Sequence, residues 1–416
     1  MAGAPAQHYA LEPTSSELPP GSSVSTAGWA RGFTQPGQQP LRDSYLSSAG
    51  LSSSTAAAQS VAPLSQSTHS SSAHSLSSDV VLSFISSYLS SRATAPAQQP
   101  APGGSAGGSG AFELGTDARR WEVQWPELTL LHLLGHGSFG FVYLAEWNQT
   151  RVAVKVLISK DDISRGQLEL PERVLHDLQS EAAVMSHMRH PNVVQFMGLV
   201  AVPPAIMTEY CSRGSLYDCL KAGREQPAAA AQLTWRRRLA MAVDASMGLL
   251  YLHRRNIIHR DVKSPNLLVD DAWHVKVADF NLSKLLGEAR PESSLTSTAP
   301  TNPIWMAPEL LEGGSATAAS DVYGFGMVLF ELLTWRLPWS FANLTPFKVG
   351  ATIRQGGRPE VPPREALPGP DTAGWAGLDG YLVLMRDCWA QRPADRPTFD
   401  EVVGQLRSLL ADTASS

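Results

Sequence analysis

The chain has 416 residues, enough for two or three domains, with 17% charged residues and a formal net charge of −5. That balance gives no reason to expect nucleic acid as a partner, and no run of about 18 apolar residues is present that could span a membrane. Its three cysteines, Cys211, Cys219 and Cys388, lack metal-ligand spacing and suit a reducing compartment. The start Met1-Ala2-Gly3 carries neither a signal peptide nor a myristoylation glycine, so a soluble, cytoplasmic protein is expected.

Residues 1–117 are dominated by Ser, Ala, Gly, Pro and Gln. Such a tail buries too little apolar surface to offset the entropy of ordering it. The stretch from Pro102 to Gly110 reads as a flexible linker. Within the tail, residues 79–91 have the apolar spacing of a short amphipathic helix, a candidate docking peptide for a partner protein.

From Trp121 the pattern becomes that of a folded domain, bounded at 118–411 and followed by a short tail, 412–416. Three β-rich runs, Leu128–Leu134, Phe141–Trp147 and Arg151–Ile158, predict a small antiparallel sheet. Gly135-His136-Gly137-Ser138-Phe139-Gly140-Phe141-Val142 lies between the first two. Alone, G-x-G-x-x-G is weak and also marks dinucleotide sites, but there it joins a strand to a helix, whereas here β-rich sequence follows. Glycine lets a backbone lie over phosphates without a Cβ in the way. Lys155 ends the run Val-Ala-Val-Lys and needs a charge partner if its strand is buried. Residues 171–188 read as a helix with Val174, Leu178, Ala182, Met185 and Met188 as an apolar stripe and two candidate partners for Lys155, Glu172 and Glu181.

Residues 205–216 read as a strand followed by a glycine turn, and 223–232 as a low-complexity surface insertion. Thr234 caps a long helix running to about Arg255, with Leu239, Val243, Met247, Leu250 and Leu252 on its core side. The segment His259-Arg260-Asp261-Val262-Lys263-Ser264-Pro265-Asn266, followed by Asp279-Phe280-Asn281, carries the chemistry. Asp261 can accept the proton of an attacking hydroxyl, Asn266 can reach a metal ion, and Asp279 can hold the metal that bridges nucleotide phosphates. Trp305-Met306-Ala307-Pro308-Glu309 and Ala394-Asp395-Arg396-Pro397 offer a Glu309–Arg396 ion pair, and an apolar helix opens at Asp321.

Together these motifs resemble the eukaryotic protein kinases over about Leu128 to Leu410. The resemblance implies an α+β bilobal kinase fold: a small antiparallel β-sheet lobe with one main helix, about 121–208, and a larger, mainly α-helical lobe, about 212–411. It implies ATP, with Mg2+ or alternatively Mn2+. The nucleotide would lie against the glycine loop (Gly135, His136, Gly137, Ser138, Phe139, Gly140), Val142, Ala153, Lys155, Thr208, Glu209, Cys211 and Leu268. Asn266 and Asp279 would hold the metal, Asp261, Lys263 and Asn266 would form the catalytic loop, and Lys155 would pair with Glu181 rather than Glu172. Asp321 would anchor the catalytic-loop backbone, and His259 would be a packed structural residue. Lys263-Ser264, Cys388-Trp389 and the Trp305 surroundings look like the tyrosine-kinase-like group, which includes Raf-like kinases. The implied activity is phosphorylation of Ser/Thr hydroxyls on protein substrates, with dual specificity or a pseudokinase scaffold as the alternatives. Two letters depart from the family pattern: Asn281 stands where Gly is usual, and Thr301-Asn302 where Gly-Thr is usual. Ser293, Ser294, Thr296, Ser297 and Thr298 are candidate phosphosites opposite Arg260.

Overall fold

The structure, a computed structural model, describes residues 118–137, 140–158, 182–280, 303–340, 344–369 and 375–415, together with 87, 178 and 342. Its first lobe is a five-stranded antiparallel sheet. The strands are β1 (Thr129–Gly137), β2 (Gly140–Trp147), β3 (Thr150–Val156), β4 (Phe196–Val200) and β5 (Ala205–Glu209), in the order β1-β2-β3-β5-β4. Period-2 alternation sorts β3. Val152, Val154 and Val156 point into a fully buried core, whereas Ala153 and Lys155 lie on the other, half-buried face. The predicted third strand therefore ends two residues early, at Val156, and β1 runs on beyond its predicted end to Gly137. Two register shifts in the β1–β2 pairing bend the hairpin before its glycine tip. Helical residues 178 and 182–186 bury Leu178, Ala182 and Met185, and Met188 of the predicted stripe is buried too, although the helix stops at Ser186, two residues before its predicted end; Val174 and the other residues of 171–181 lie outside the described residues.

The second lobe is helical, so the α+β bilobal architecture is the one the sequence predicts. Its main helices are α1 (Leu216–Glu225), α2 (Trp235–His253), α3 (Ala318–Thr334), α4 (Pro346–Arg354), α5 (Leu378–Cys388) and α6 (Phe399–Ser415). A small hairpin, β6 (Leu267–Val269) with β7 (Val275–Val277), faces the cleft between the lobes. Thr234 caps α2 by accepting from the Arg237 N–H at 3.2 Å. Of the predicted core side of α2, Leu239, Val243 and Leu252 are buried and Met247 and Leu250 half-buried. The helix also buries Met241, Ala242, Ala245 and Leu249, because α6 and α3 pack on two of its sides. α3 is buried from Ser320 to Thr334, which makes it the axis of the lobe.

The stretch expected as an insertion is shorter and more ordered than its composition suggests. α1 continues through Gly223, where a Cβ would lie 2.5 Å from Leu233 Cδ1, and Pro227–Ala230 forms one further helical turn. Two connections stitch the lobes together. At the first, Val194 N–H donates to Val277 O and Val277 N–H to Asn192 O, both 2.9 Å, while Asn192 Nδ2 donates to Val275 O at 3.0 Å. At the second, beside the chain's own crossing from β5, the Glu209 carboxylate meets Lys276 Nζ on β7 at 3.1 Å.

Candidate active site

The half-buried face of β2 and β3 forms the roof of a cleft. Val142 pairs in register with Lys155, and Ala153 with Thr208 on β5. All four are half-buried. Gly140 starts β2 at φ 136, and a Cβ there would sit 1.9 Å from Val156 O. Only glycine lets the loop close onto the strand that carries Lys155. Gly135, His136 and Gly137 belong to β1, and His136 pairs with Phe141; Ser138 and Phe139 lie outside the described residues.

Leu268, on β6, packs against a small cluster of Val194, Cys211 and Ala278 beneath the cleft. Burial pushes the Cys211 thiol up to about 12, with Glu209 adding to the shift, so it is an inert thiol. The Glu209 side chain accepts from Gln195 N–H at 2.7 Å and meets Lys276 Nζ at 3.1 Å. It thereby ties the strand connecting the lobes to β7, a role the sequence motifs did not signal.

The catalytic segment is held from below by one carboxylate. Asp321, in the first turn of α3, accepts from His259 N–H at 2.7 Å through Oδ2 and from Arg260 N–H at 2.8 Å through Oδ1. His253 Nε2 also sits 2.8 Å from Oδ2. These bonds fix Arg260 at φ 71, a conformation that costs a non-glycine residue on the order of 1–3 kcal/mol. His259 is 1% exposed and its Nε2 lies 2.9 Å from Ala278 O, linking the loop to the residue before Asp279.

On this base the polar side chains converge. Lys263 Nζ lies 2.7 Å from Asp261 Oδ2. Asn266 Nδ2 donates to the Asp261 carbonyl at 2.9 Å and to Oδ2 at 3.0 Å. Across the cleft Lys155 Nζ meets Asp279 Oδ2 at 2.8 Å. Asp279 itself takes the left-handed conformation, φ 58, and its side chain is 42% exposed. Burial pushes its carboxyl up, but the charge and hydrogen bond of Lys155, with Lys263 beyond, outweigh that and hold it below the usual carboxylate range. Phe280, next in sequence, is 2% exposed in the core of the helical lobe.

The structure thus brings Asp261, Lys263, Asn266, Asp279 and Lys155 to one cleft. Glu181, Glu172, Asn281, Thr301, Asn302 and the five candidate phosphosites lie outside the described residues. So do residues 79–91, except Ser87.

Among the described residues no three His, Cys, Asp or Glu side chains cluster as a self-sufficient metal cage. A magnesium site does not need one, since the ion is held by one or two protein oxygens plus substrate phosphates and water. Asp279 offers an ionised, part-exposed carboxylate, and Asn266, whose amide nitrogen is engaged by Asp261, has its carbonyl oxygen left as the ligand atom. The donor set fits a hard divalent cation brought in with phosphates.

Two further contacts support the site. Arg396 is clamped bidentately by Glu309, at 2.7 and 2.8 Å, and donates to Ala319 O and Ala390 O, both 2.9 Å. This is the ion pair expected from sequence. Glu331, in α3, accepts from Ser264 Oγ at 2.5 Å and from Trp305 Nε1 at 2.8 Å. That bridge was not foreseen, because a glutamate in an apolar run carries no spacing signal.

The description "Protein tyrosine and serine/threonine kinase" matches residues 128–406. The chain is 42% identical over 303 residues to the serine/threonine-protein kinase CTR1 of Arabidopsis thaliana, covering 72% of this chain and 33% of that protein. It is 40% identical over 293 residues to the probable serine/threonine-protein kinase SIS8 of the same plant, covering 69% and 25%. With the probable serine/threonine-protein kinase drkA of Dictyostelium discoideum it shares 38% identity over 281 residues, 66% and 39% of the two chains. The chain therefore spans between a quarter and two fifths of the length of these relatives.

Proposed function

The chain belongs to the protein tyrosine and serine/threonine kinase family, and on that footing we propose that it transfers the γ-phosphoryl group of ATP to Ser and Thr hydroxyls of protein substrates. The carrying observation is the convergence of Asp261, Lys263 and Asn266 on one loop opposite the Lys155–Asp279 pair. The relatives' names, serine/threonine-protein kinases, support the Ser/Thr reading, and Lys263-Ser264 supports a place in the tyrosine-kinase-like, Raf-like group.

In this reading the adenine lies against Val142, Ala153, Thr208, Glu209, Cys211 and Leu268, and the phosphates lie under the glycine loop beside Lys155. Asn266 and Asp279 would hold Mg2+, with Mn2+ the alternative, which would supply positive charge to offset that of the phosphates. Asp261 orients the substrate hydroxyl and receives its proton as the new oxygen–phosphorus bond forms and the bond from the γ-phosphorus to the bridging oxygen of ATP breaks, with ADP leaving. Lys263, 2.7 Å from Asp261, places a positive charge where the transferring group gains negative charge. The reading includes Lys155 pairing with Glu181, a switch of Lys155 away from Asp279 when the metal site fills, and a reducing cytoplasmic setting. The three free, buried cysteines support the last of these. Among the described residues no helix is long and apolar enough to cross a membrane.

The test is phosphorylation of a generic Ser/Thr peptide by the full chain, with Asp279→Ala and Asp261→Asn beside it. Each variant is expected to lower the rate by at least about a hundredfold. Wild-type activity no higher than that of Asp279→Ala would leave a scaffold role, and equal transfer to tyrosine peptides would replace Ser/Thr by dual specificity.

A further inference from the structure

Beside the catalytic loop, on the side of the helical lobe, α1 and the end of α3 enclose a shallow recess. It is lined by Tyr217, Lys221 and Arg224 from α1 and by Glu331, Trp335 and Arg336 from α3 and the residues after it. Lys221 and Arg224 stand at i and i+3, so they share one face of α1. Neither forms an ion pair among the described residues; of the two carboxylates on their own helix, Asp218 turns back to Ser215, whose Oγ and N–H donate to it, and Glu225 is exposed at the helix end. Trp335 is 3% exposed, and its indole N–H is buried without an acceptor. A buried donor left unpaired costs about 1–3 kcal/mol. The floor has room for about one water-sized group, which is the size of a single terminal oxygen.

The one acidic group at the recess, Glu331, is turned the other way, towards Ser264 and Trp305. Burial pushes its carboxyl up to about 8, and those two hydrogen bonds do not restore it, so little negative charge faces the cations. Ser264 follows Lys263 directly, and α1 packs on the Ser264–Asn266 turn. The cations are therefore one layer of side chains from the catalytic loop.

We infer that this recess is a specificity subsite that takes an anionic side chain of the protein substrate, a carboxylate or a phosphorylated residue, with Lys221, Arg224 and Arg336 around it and one oxygen reaching the Trp335 N–H. The inference rests on the kinase reading for its substrate, and it gives that reading a substrate class: acidic or already phosphorylated segments.

The experiment uses the full chain and three peptide sets that differ at one position scanned around the acceptor serine: a neutral residue, glutamate or phosphoserine. At the best position an anionic residue is expected to lower KM about tenfold with kcat unchanged, the sum of two part-exposed charge contacts. Lys221→Glu with Arg224→Glu is expected to abolish that preference while leaving the neutral peptide's kinetics as they were. Trp335→Phe, which keeps the ring and removes the N–H, is expected to cut the preference about threefold. A response to phosphoserine alone would assign the subsite to phosphate, and a response to both would assign it to negative charge in general. Binding of the labelled anionic peptide without nucleotide, with inorganic phosphate as competitor, supplies a readout independent of turnover. If no peptide is phosphorylated but binding is lost in the charge-reversed variant, the kinase reading falls and the subsite stands. If all peptides are phosphorylated alike by wild type and variant, or if phosphate binds with no peptide preference, the subsite is refuted and the kinase reading stands.

Discussion

Asp321→Asn isolates the device that shapes the catalytic loop. The two carboxylate oxygens have separate tasks, Oδ2 accepting from His259 N–H and Oδ1 from Arg260 N–H. An asparagine keeps only one of them as an oxygen and turns the amide NH2 towards the other donor. One N–H loses its acceptor, at about 1–3 kcal/mol, and the surviving bond changes from charge-assisted to neutral, at about 1 kcal/mol more. The expected loss is about 2–4 kcal/mol, seen as a lower urea midpoint at unchanged slope. Arg260 would also be free to leave φ 71, and Asp261 would move with it. A displacement of about 1 Å at a reacting group costs on the order of a hundredfold in rate, so kcat for peptide phosphorylation should fall about a hundredfold. KM for ATP should change little, because the cleft residues on β2, β3 and β6 are not held by Asp321. A variant that loses stability but keeps kcat within about twofold of wild type would refute the idea that this carboxylate positions Asp261.

Further outcomes follow from the same geometry. Lys155→Met is expected to lower kcat/KM for ATP by at least about a hundredfold with the fold intact by circular dichroism, since the lysine is part-exposed at the cleft rather than in the core. Glu309→Gln leaves Arg396 buried with a weakened partner and is expected to cost about 3 kcal/mol, read as a melting shift of about 6–12 °C; a shift under about 2 °C would mean that the pair behaves as a surface contact. Glu331, with a folded-state value raised to about 8 from 4.5, holds a proton in the folded chain that the unfolded chain has lost across that window. Its contribution to stability is thus full below about 4.5 and declines as pH rises towards 8. Glu331→Gln should flatten the wild-type decline in urea midpoint between those values, and an unchanged decline would assign it to other groups. Asp279, held low by Lys155, is expected to stay ionised as pH falls to 5, and a carboxyl carbon NMR signal of Asp279 that titrated between pH 7 and 5 would refute that.

Much of the fold was legible because its local signals agree. Alternation in Arg151–Val156, the glycines at 135, 137 and 140 and the Thr234 cap each dictate one local structure, and the sheet and α2 formed as they imply. β4 carried no comparable signal. Phe196–Val200 is short, lies at the sheet edge beyond β5, and is defined by its partner rather than by its own pattern. At the site, side chains that act within a few residues of one another, such as Asp261, Lys263 and Asn266, could be read from spacing. The long-range bridges could be read only where a motif letter marked both ends, as with Glu309 and Arg396. Glu331 with Ser264 and Trp305, and Glu209 with Lys276, join residues 67, 26 and 67 positions apart with no pattern to announce them. Arg238, buried among Trp235, Trp335 and Trp375, is likewise invisible in sequence, where it is one of three consecutive arginines.

The two stitches between the lobes, at 192–194 and at Glu209, both reach β7 and set how the cleft can work. Bodies joined over so narrow a seam keep one easy motion, rotation about it, and resist sliding across it. At Gly248 of α2 an added Cβ would sit 2.2 Å from Asn192 O and 2.6 Å from Val277 Cγ2, so the first fastening is seated in the helical lobe with no slack. Under the proposed function, rotation about that seam carries β3 and Lys155 along one arc towards Asp279, so nucleotide entry and phosphate alignment would be two positions of one lever.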